Sequence, residues 1–272
     1  MSSNLLDRQI DDILQTVLEN ATGDVFVVNP SADAIEEFVR VATRFEGELP
    51  MVHMLADERT LKDVMDDFIV ASNAADLVDR DSLELRTVEE TPENSLLVTE
   101  DSVVALVTAG NRVGGLTTAD DEFVTTAYDA YTVAWEEAEA FKLRTPPISR
   151  VRESLESDIS PEAEADFTNI LDSLETARGD GEGLDEVTIS LLVAAKNEAL
   201  LYDISKWGED VGIASKATFS RTKTKLEDMG LIDTEKVPID VGRPRLRLKI
   251  GDDRLRSADN GQLATVAQSI LN

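Results

Sequence analysis

The stretch Ala199–Ile250, ALLYDISKWGEDVGIASKATFSRTKTKLEDMGLIDTEKVPIDVGRPRLRLKI, decides the reading of this chain. Two short helical patterns meet at the turn Val211-Gly212-Ile213-Ala214, and a hairpin pattern follows. Ser215 is a good N-cap for the second helix and Gly230 a good residue just past its end. On a helical wheel Phe219, Thr222, Leu226 and Met229 share one side. Ala217, Ser220, Arg221 and Thr224 fall opposite, with Lys216, Lys223 and Lys225 at the flanks. Small polar residues edged by cations suit a helix laid into a major groove, where the centre approaches base edges and the margins meet phosphates. The following strand alternates with a period of two. Arg243, Arg245, Arg247 and Lys249 point one way; Pro244, Leu246, Leu248 and Ile250 point the other. The pattern predicts a winged helix-turn-helix.

Charge sharpens that expectation. The chain has 272 residues with 55 acids against 26 bases, a net charge of −29, yet residues 206–249 hold ten bases against seven acids. The acids elsewhere are spread evenly, which fits a protein adapted to a salt-rich cytoplasm. Near 1 M salt the Debye length is about 3 Å, and self-repulsion is largely screened. The cysteine count is zero, so disulfide and thiolate chemistry are excluded. No run approaches the roughly 20 apolar residues of a membrane span. The opening MSSNLLDRQIDD lacks the basic and apolar regions of a secretory leader, so a cytoplasmic location is expected.

Upstream, apolar residues at helical spacing predict a helix over residues 4–20. Short apolar runs predict strands at residues 25–28, 51–55, 83–86, 95–99 and 103–108, with helices after the first two, the second over about 58–75. Residues 109–115 read as a turn and 119–143 as a long helix. This alternation predicts an α/β domain with a mixed sheet over residues 1–145. Pro146-Pro147 marks a boundary. Residues 146–183 read as a helical linker in which Ser160-Pro161-Glu162 starts a helix. The winged unit is placed at 184–251, an α+β fold. Residues 252–272 form a last helix, capped by Asp259 or Asn260, whose apolar stripe either folds back or pairs with its copy in a homodimer.

No glycine-rich phosphate loop is present, and Gly114-Gly115 alone is a weak signal. With a single histidine, His53, in an apolar strand, zinc and Ser/His or Cys/His chemistry lack partners. The expectation is a non-enzyme with no cofactor or metal. In α/β sheets ligands bind beyond the carboxyl ends of strands. Asn29 and Ser31 close the first such strand at a helix N-terminus, a place that favours an anion. Asn94, Ser95, Asn111, Arg112 and Gly114 lie at comparable ends, so a small phosphorylated effector is expected there.

SKWGEDVGIASKATFSRTKTKLED and VPIDVGRPRLRLKI resemble the DNA-binding part of the haloarchaeal TbsP transcription regulators, and the similarity runs over the whole chain. The family acts beside the sugar-responsive regulator TrmB at genes of gluconeogenesis and glycolysis. The resemblance implies binding to double-stranded DNA and an effector such as fructose 1-phosphate. SLLVTEDSVVALVTAGNRV also resembles the phospholipase D-like hairpin of TrmB-type sensor domains. Ser95 and Leu97 stand where true phospholipases carry His and Lys, and Ala109-Gly110-Asn111 replaces Gly-Ser-x-Asn. The resemblance therefore implies a degenerate domain that senses and does not catalyse. Two other readings stay open: a ligand-binding or protein-interaction module whose helix-turn-helix does not touch DNA, and a sugar-phosphate enzyme.

Overall fold

The computed structural model describes residues 4–88, 93–110, 112–174, 176–178, 184–240, 244–258 and 260–271. The chain divides into two compact units: Met1–Met65 with Asn73–Leu143, and Asp66–Ser72 with Arg144–Asn272.

The first unit contains β1 (Leu5–Arg8), α1 (Ile10–Asn20), β2 (Val25–Val28), α2 (Ala32–Thr43), β3 (Val52–Ala56) and α3 (Glu58–Met65). Most of α4 (Phe68–Asp79) follows, then β4 (Leu83–Thr87), β5 (Leu96–Val98), β6 (Val103–Ala109), β7 (Arg112–Thr118), α5 (Asp121–Glu137) and β8 (Glu139–Ala140). Its mixed sheet runs β1-β7-β6-β5-β2-β3-β4-β8. Among the described strands only β2, β3 and β4 pair in parallel, as the intervening helices require. The continuous apolar run VFVV of β2 is buried on both faces, as a central parallel strand should be. Phe26, Val28, Leu55, Val98 and Val103 form one face's core with Val124 and Trp135 of α5.

Four local expectations need correction. Residues 4–8 are not helical: β1 pairs with β7, Leu5 opposite Gly115. The helix expected over 58–75 breaks at Asp66-Asp67, and the Asp67 carboxylate accepts from the Ile69 backbone N–H at 2.9 Å, restarting the chain as α4. The turn expected at 109–115 is mostly strand. Ala109 pairs with Arg112, and Gly115 is small because a Cβ there would stand 2.9 Å from Val104. The helix expected over 119–143 ends at Glu137, and β8 then pairs with β4.

The second unit contains α6 (Ile148–Asp158), α7 (Pro161–Asp172), α8 (Glu186–Lys196), α9 (Leu201–Val211), α10 (Lys216–Asp228), β9 (Ile232–Val237), β10 (Arg245–Ile250), α11 (Asp253–Ser257) and α12 (Asn260–Leu271). Ser160 caps α7, accepting from Ala163 N–H at 3.1 Å, with Pro161 at the first helical position. The region expected to be a linker instead supplies Val151, Leu155, Phe167 and Ile170 to this unit's hydrophobic core. The stripe of α12 is also spent here: Leu263, Ala264 and Ala267 are buried in the same core, and α12 packs on α7. Asp259, one of the two expected caps, lies outside the described residues, as does the side chain of Asn260.

Asp66–Ser72 joins this unit by specific contacts. Phe68 is buried in the core and meets Phe167 edge to face at 6.4 Å. Its N–H donates to Ala177 O at 3.0 Å. Asp67, almost wholly buried, accepts from Ala177 N–H at 3.2 Å and pairs with Arg178 at 3.4 Å. Truncating a buried aromatic removes its transfer free energy and leaves a cavity. Phe68→Ala is therefore expected to destabilise the second unit by about 3 to 5 kcal/mol, measured by denaturant unfolding followed through Trp207 fluorescence.

Candidate nucleic-acid interface

The turn between α9 and α10 follows from its residues. Gly212 ends α9 at φ 96°, left-handed backbone that a side chain disfavours. Ser215 Oγ accepts from Thr218 N–H at 3.2 Å and starts α10. Glu209 of α9 reinforces that start: it accepts from the Lys216 N–H at 3.3 Å and pairs with Lys216 Nζ at 2.8 Å. The hydrogen bond from Lys216 holds the Glu209 carboxyl below its ordinary range and raises the Lys216 ammonium in return. A depressed carboxyl keeps its contribution above the ordinary glutamate value and loses it as pH falls through the folded value, so this clasp is intact at neutral pH.

Packing then sets the orientation of α10. Phe219 and Leu226 are buried, whereas Ala217, Ser220, Arg221, Thr224 and Lys225 are exposed. Met229, expected on the inner side, is more than a third exposed. Phe219 occupies the space a side chain at 208 would need: a Cβ on Gly208 would lie 2.3 Å from two of its ring carbons.

The expected cations separate into two groups. Lys216 is held by Glu209, and Lys223 by Glu227 at 2.6 Å with its side chain largely buried. Both serve the unit's own structure. Arg221 and Lys225, one turn apart on the exposed side, pair with no carboxylate among the described residues.

The wing corrects the expectation of an uninterrupted positive row. Residues opposite each other in an antiparallel ladder share a face; Lys249 stands opposite Asp233, and Arg247 opposite Glu235. Lys249 pairs with Glu235 at 2.8 Å. Arg245 reaches the start of α9, 3.4 Å from Asp203 and 4.4 Å from the Tyr202 ring centroid. The other edge of β10 meets the residues before α9, through a Leu200–Arg247 bridge and a bond from Leu248 N–H to Ala199 O at 2.9 Å. Arg243 lies outside the described residues. Asp233 and Glu235 alternate with period two along β9, a signal readable in sequence once β9 is taken as partner to β10.

In the first unit, the register brings some effector candidates to one sheet edge. Leu96 pairs with both Val28 and Ala105, so Asn29 and Ser95 close neighbouring strands at the same end, and Asn94 precedes them on an exposed turn. Asn29 takes φ 45°, and its N–H donates to Leu55 O at 2.8 Å. Ser31 caps α2, accepting from Ala34 N–H at 3.2 Å. Arg112 does not join this group by register. Its partner Ala109 lies beyond Ala105 on β6, about 13 Å further along at strand rise. Gly114 pairs with Val107 on that projecting, exposed hairpin, and Asn111 is outside the described residues. His53, expected as a core residue, is mostly buried between Phe26 and Trp135, with Nε2 at 3.0 Å from Asp24.

Residues 2–146 match the family model described as "Transcriptional regulator TbsP-like, N-terminal", and residues 147–268 match "Transcriptional regulator TbsP-like, C-terminal HTH domain". The chain belongs to the TbsP-like transcriptional regulators. Its α/β unit is the TbsP-like N-terminal domain, and its C-terminal unit is the DNA-binding helix-turn-helix of that family. No curated protein matches. Among solved structures, the chain is similar to TrmBL2, titled an archaeal chromatin protein with a novel mode of DNA binding. That match has 16% identity and a TM-score of 0.37, covering 52% of this chain and 54% of TrmBL2. It is also similar to NucT from Helicobacter pylori, at 15% identity and a TM-score of 0.33, covering 51% of this chain and 98% of that one. The TbsP-like chain thus spans little over half the length of TrmBL2. No helix among its described residues is long and apolar enough to cross a membrane.

The Gly208 contact gives a direct test. Overfilling a packed site costs about 1 to 3 kcal/mol. Gly208→Ala is expected to lose stability in that range and to weaken operator binding, since α10 must move with Phe219; denaturant unfolding and mobility shift measure the two effects.

Proposed function

We propose that this TbsP-like protein regulates transcription as a homodimer, laying α10 in the major groove of double-stranded DNA and responding to a small metabolite. The exposed side of α10 carries the reading: Ala217, Ser220 and Thr224 are short enough for close approach, and Arg221 and Lys225 are the cations of this helix left for the duplex. Ser215 and Thr218 lie at the helix start, where recognition helices meet base edges. Arg247 of the wing acts at the margin, where Lys216, Lys223 and Arg245, each already matched by a carboxylate, contribute less.

Paired cations have consequences for affinity. Each phosphate neutralised releases counterions and steepens the fall of affinity with salt. A cation already matched by a carboxylate contributes less to that slope. Affinity at high salt then rests on base contacts, which suits a chain whose net charge of −29 points to a salt-rich cytoplasm. The target genes proposed are those of sugar metabolism, gluconeogenesis among them, following the family resemblance. The proposed effector is a sugar phosphate such as fructose 1-phosphate, held near Asn29, Ser31 and Ser95. It regulates only by preferring one state of the dimer over another.

Mobility shift with genomic fragments across a KCl series tests the first part. The expected slope is shallower than the cation count of the unit implies. Lys225→Gln should weaken binding evenly across sequences and lower the slope by about one. Absence of binding to any fragment at any KCl concentration would leave the interaction-module reading in its place. For the effector, fructose 1-phosphate is expected to raise the melting temperature, and Ser31→Ala with Asn29→Ala should remove the rise. No rise with any sugar phosphate would overturn the effector assignment.

A further inference from the structure

We infer that Arg221 reads a guanine, and that Thr218 is the residue that positions it. The inference rests on the reading that α10 enters the major groove, and it names the base that the helix selects.

Three side chains on the first turns of α10 form a short chain of hydrogen bonds. Ser215 Oγ accepts from the Thr218 N–H at 3.2 Å and lies 3.1 Å from Thr218 Oγ1. Thr218 Oγ1 in turn accepts from Arg221 Nη2 at 3.4 Å. A solvent-exposed arginine normally sweeps many rotamers and loses that freedom on binding. Here the bond from position i to i−3 draws the guanidinium back towards the N-terminal end of α10. Recognition helices present that end to base edges.

The charge environment separates Arg221 and Lys225 from most of the cations around them. Lys206, Lys216, Lys223, Arg245 and Lys249 each have a carboxylate within 3.4 Å or closer. Arg221 has none among the described residues, and its one bond goes to a neutral hydroxyl. A guanidinium carries five N–H donors in a planar fork. One donor spent on Thr218 leaves enough for two parallel bonds. In the major groove only guanine offers two adjacent acceptors, O6 and N7; adenine replaces one of them with a donor. The flanking Ala217, Ser220 and Thr224 are small, and Lys225 stands a turn further from the helix start, so Arg221 is the long side chain without a carboxylate partner nearest the N-terminal end of α10.

The test uses the full chain and a random-sequence DNA pool. Wild-type protein should select sites with one strongly preferred guanine per half-site. Replacing that base by 7-deazaguanine should weaken binding about 5- to 100-fold. Arg221→Ala should erase the preference at that position and keep the others. Arg221→Lys should restore affinity more than selectivity. Thr218→Val should reduce discrimination at the same position by several fold with an unchanged melting temperature, and Thr218→Ser should rescue it. If Arg221→Ala lowers affinity for every sequence alike, Arg221 contacts phosphate and the inference falls while the groove reading stands. If Thr218→Val leaves discrimination intact, the positioning role falls. If the wild-type protein selects no sequence at all, the groove reading itself falls.

Discussion

The DNA-binding unit depends on the contact between the Phe219 ring and the bare backbone of Gly208. It brings α9 and α10 to a distance that excludes any Cβ at position 208. Because Phe219 and Leu226 are committed to the interior, the opposite side of α10 has nowhere to face but outward. The same core holds a line of aromatic packing: Phe68 meets Phe167, and Phe167 meets Trp207 at 6.5 Å, each edge to face. Such pairs add about 0.5 to 1.5 kcal/mol beyond the area they bury. Trp207 completes its polar requirement by donating from Nε1 to Ser154 Oγ at 2.9 Å. Helices α6, α7, α9 and α10 therefore share one core, and the recognition face is its outer consequence.

Acid excess shapes the surface as much as packing shapes the interior. In a chain with 55 acids and 26 bases, a cation on the surface finds a carboxylate nearby. Exposed pairs of this kind contribute only about 0 to 1 kcal/mol each, so their importance lies in direction and not in stability. They hold Lys216, Arg245 and Lys249 to this protein's own surface, and leave a narrow cationic strip on α10. Molar salt shortens the Debye length to about 3 Å, comparable with these separations, so the exposed pairs are themselves partly screened there.

Much of this was legible in the sequence, and the failures have identifiable causes. The limits of α10 follow from the Ser215 cap and Gly230, both local signals. Strands β2, β3 and β4 follow from apolar runs separated by helical spacing. The wing's charge was misread because Asp233 and Glu235 cancel Arg247 and Lys249 only through cross-strand register, which one strand alone does not reveal. Gly114-Gly115 resembled a turn, although Gly115 is small for close packing against Val104. The 146–183 region looked like a linker because its acids mask the spacing of Val151, Leu155, Phe167 and Ile170. The effector candidates rested on strand ends alone. Register unites Asn29 with Ser95 and sets Arg112 apart on the hairpin.

Asp66–Ser72 has an implication for how such regulators diversify. Asp67 bonds Ala177, 110 positions away, and Phe68 fills a core built otherwise from residues after 144. Cutting the gene at the boundary between the two family domains would leave that core short of an aromatic ring. Recombination that exchanges whole reading heads between regulators must therefore carry this short internal segment along, or replace it with one of matching shape.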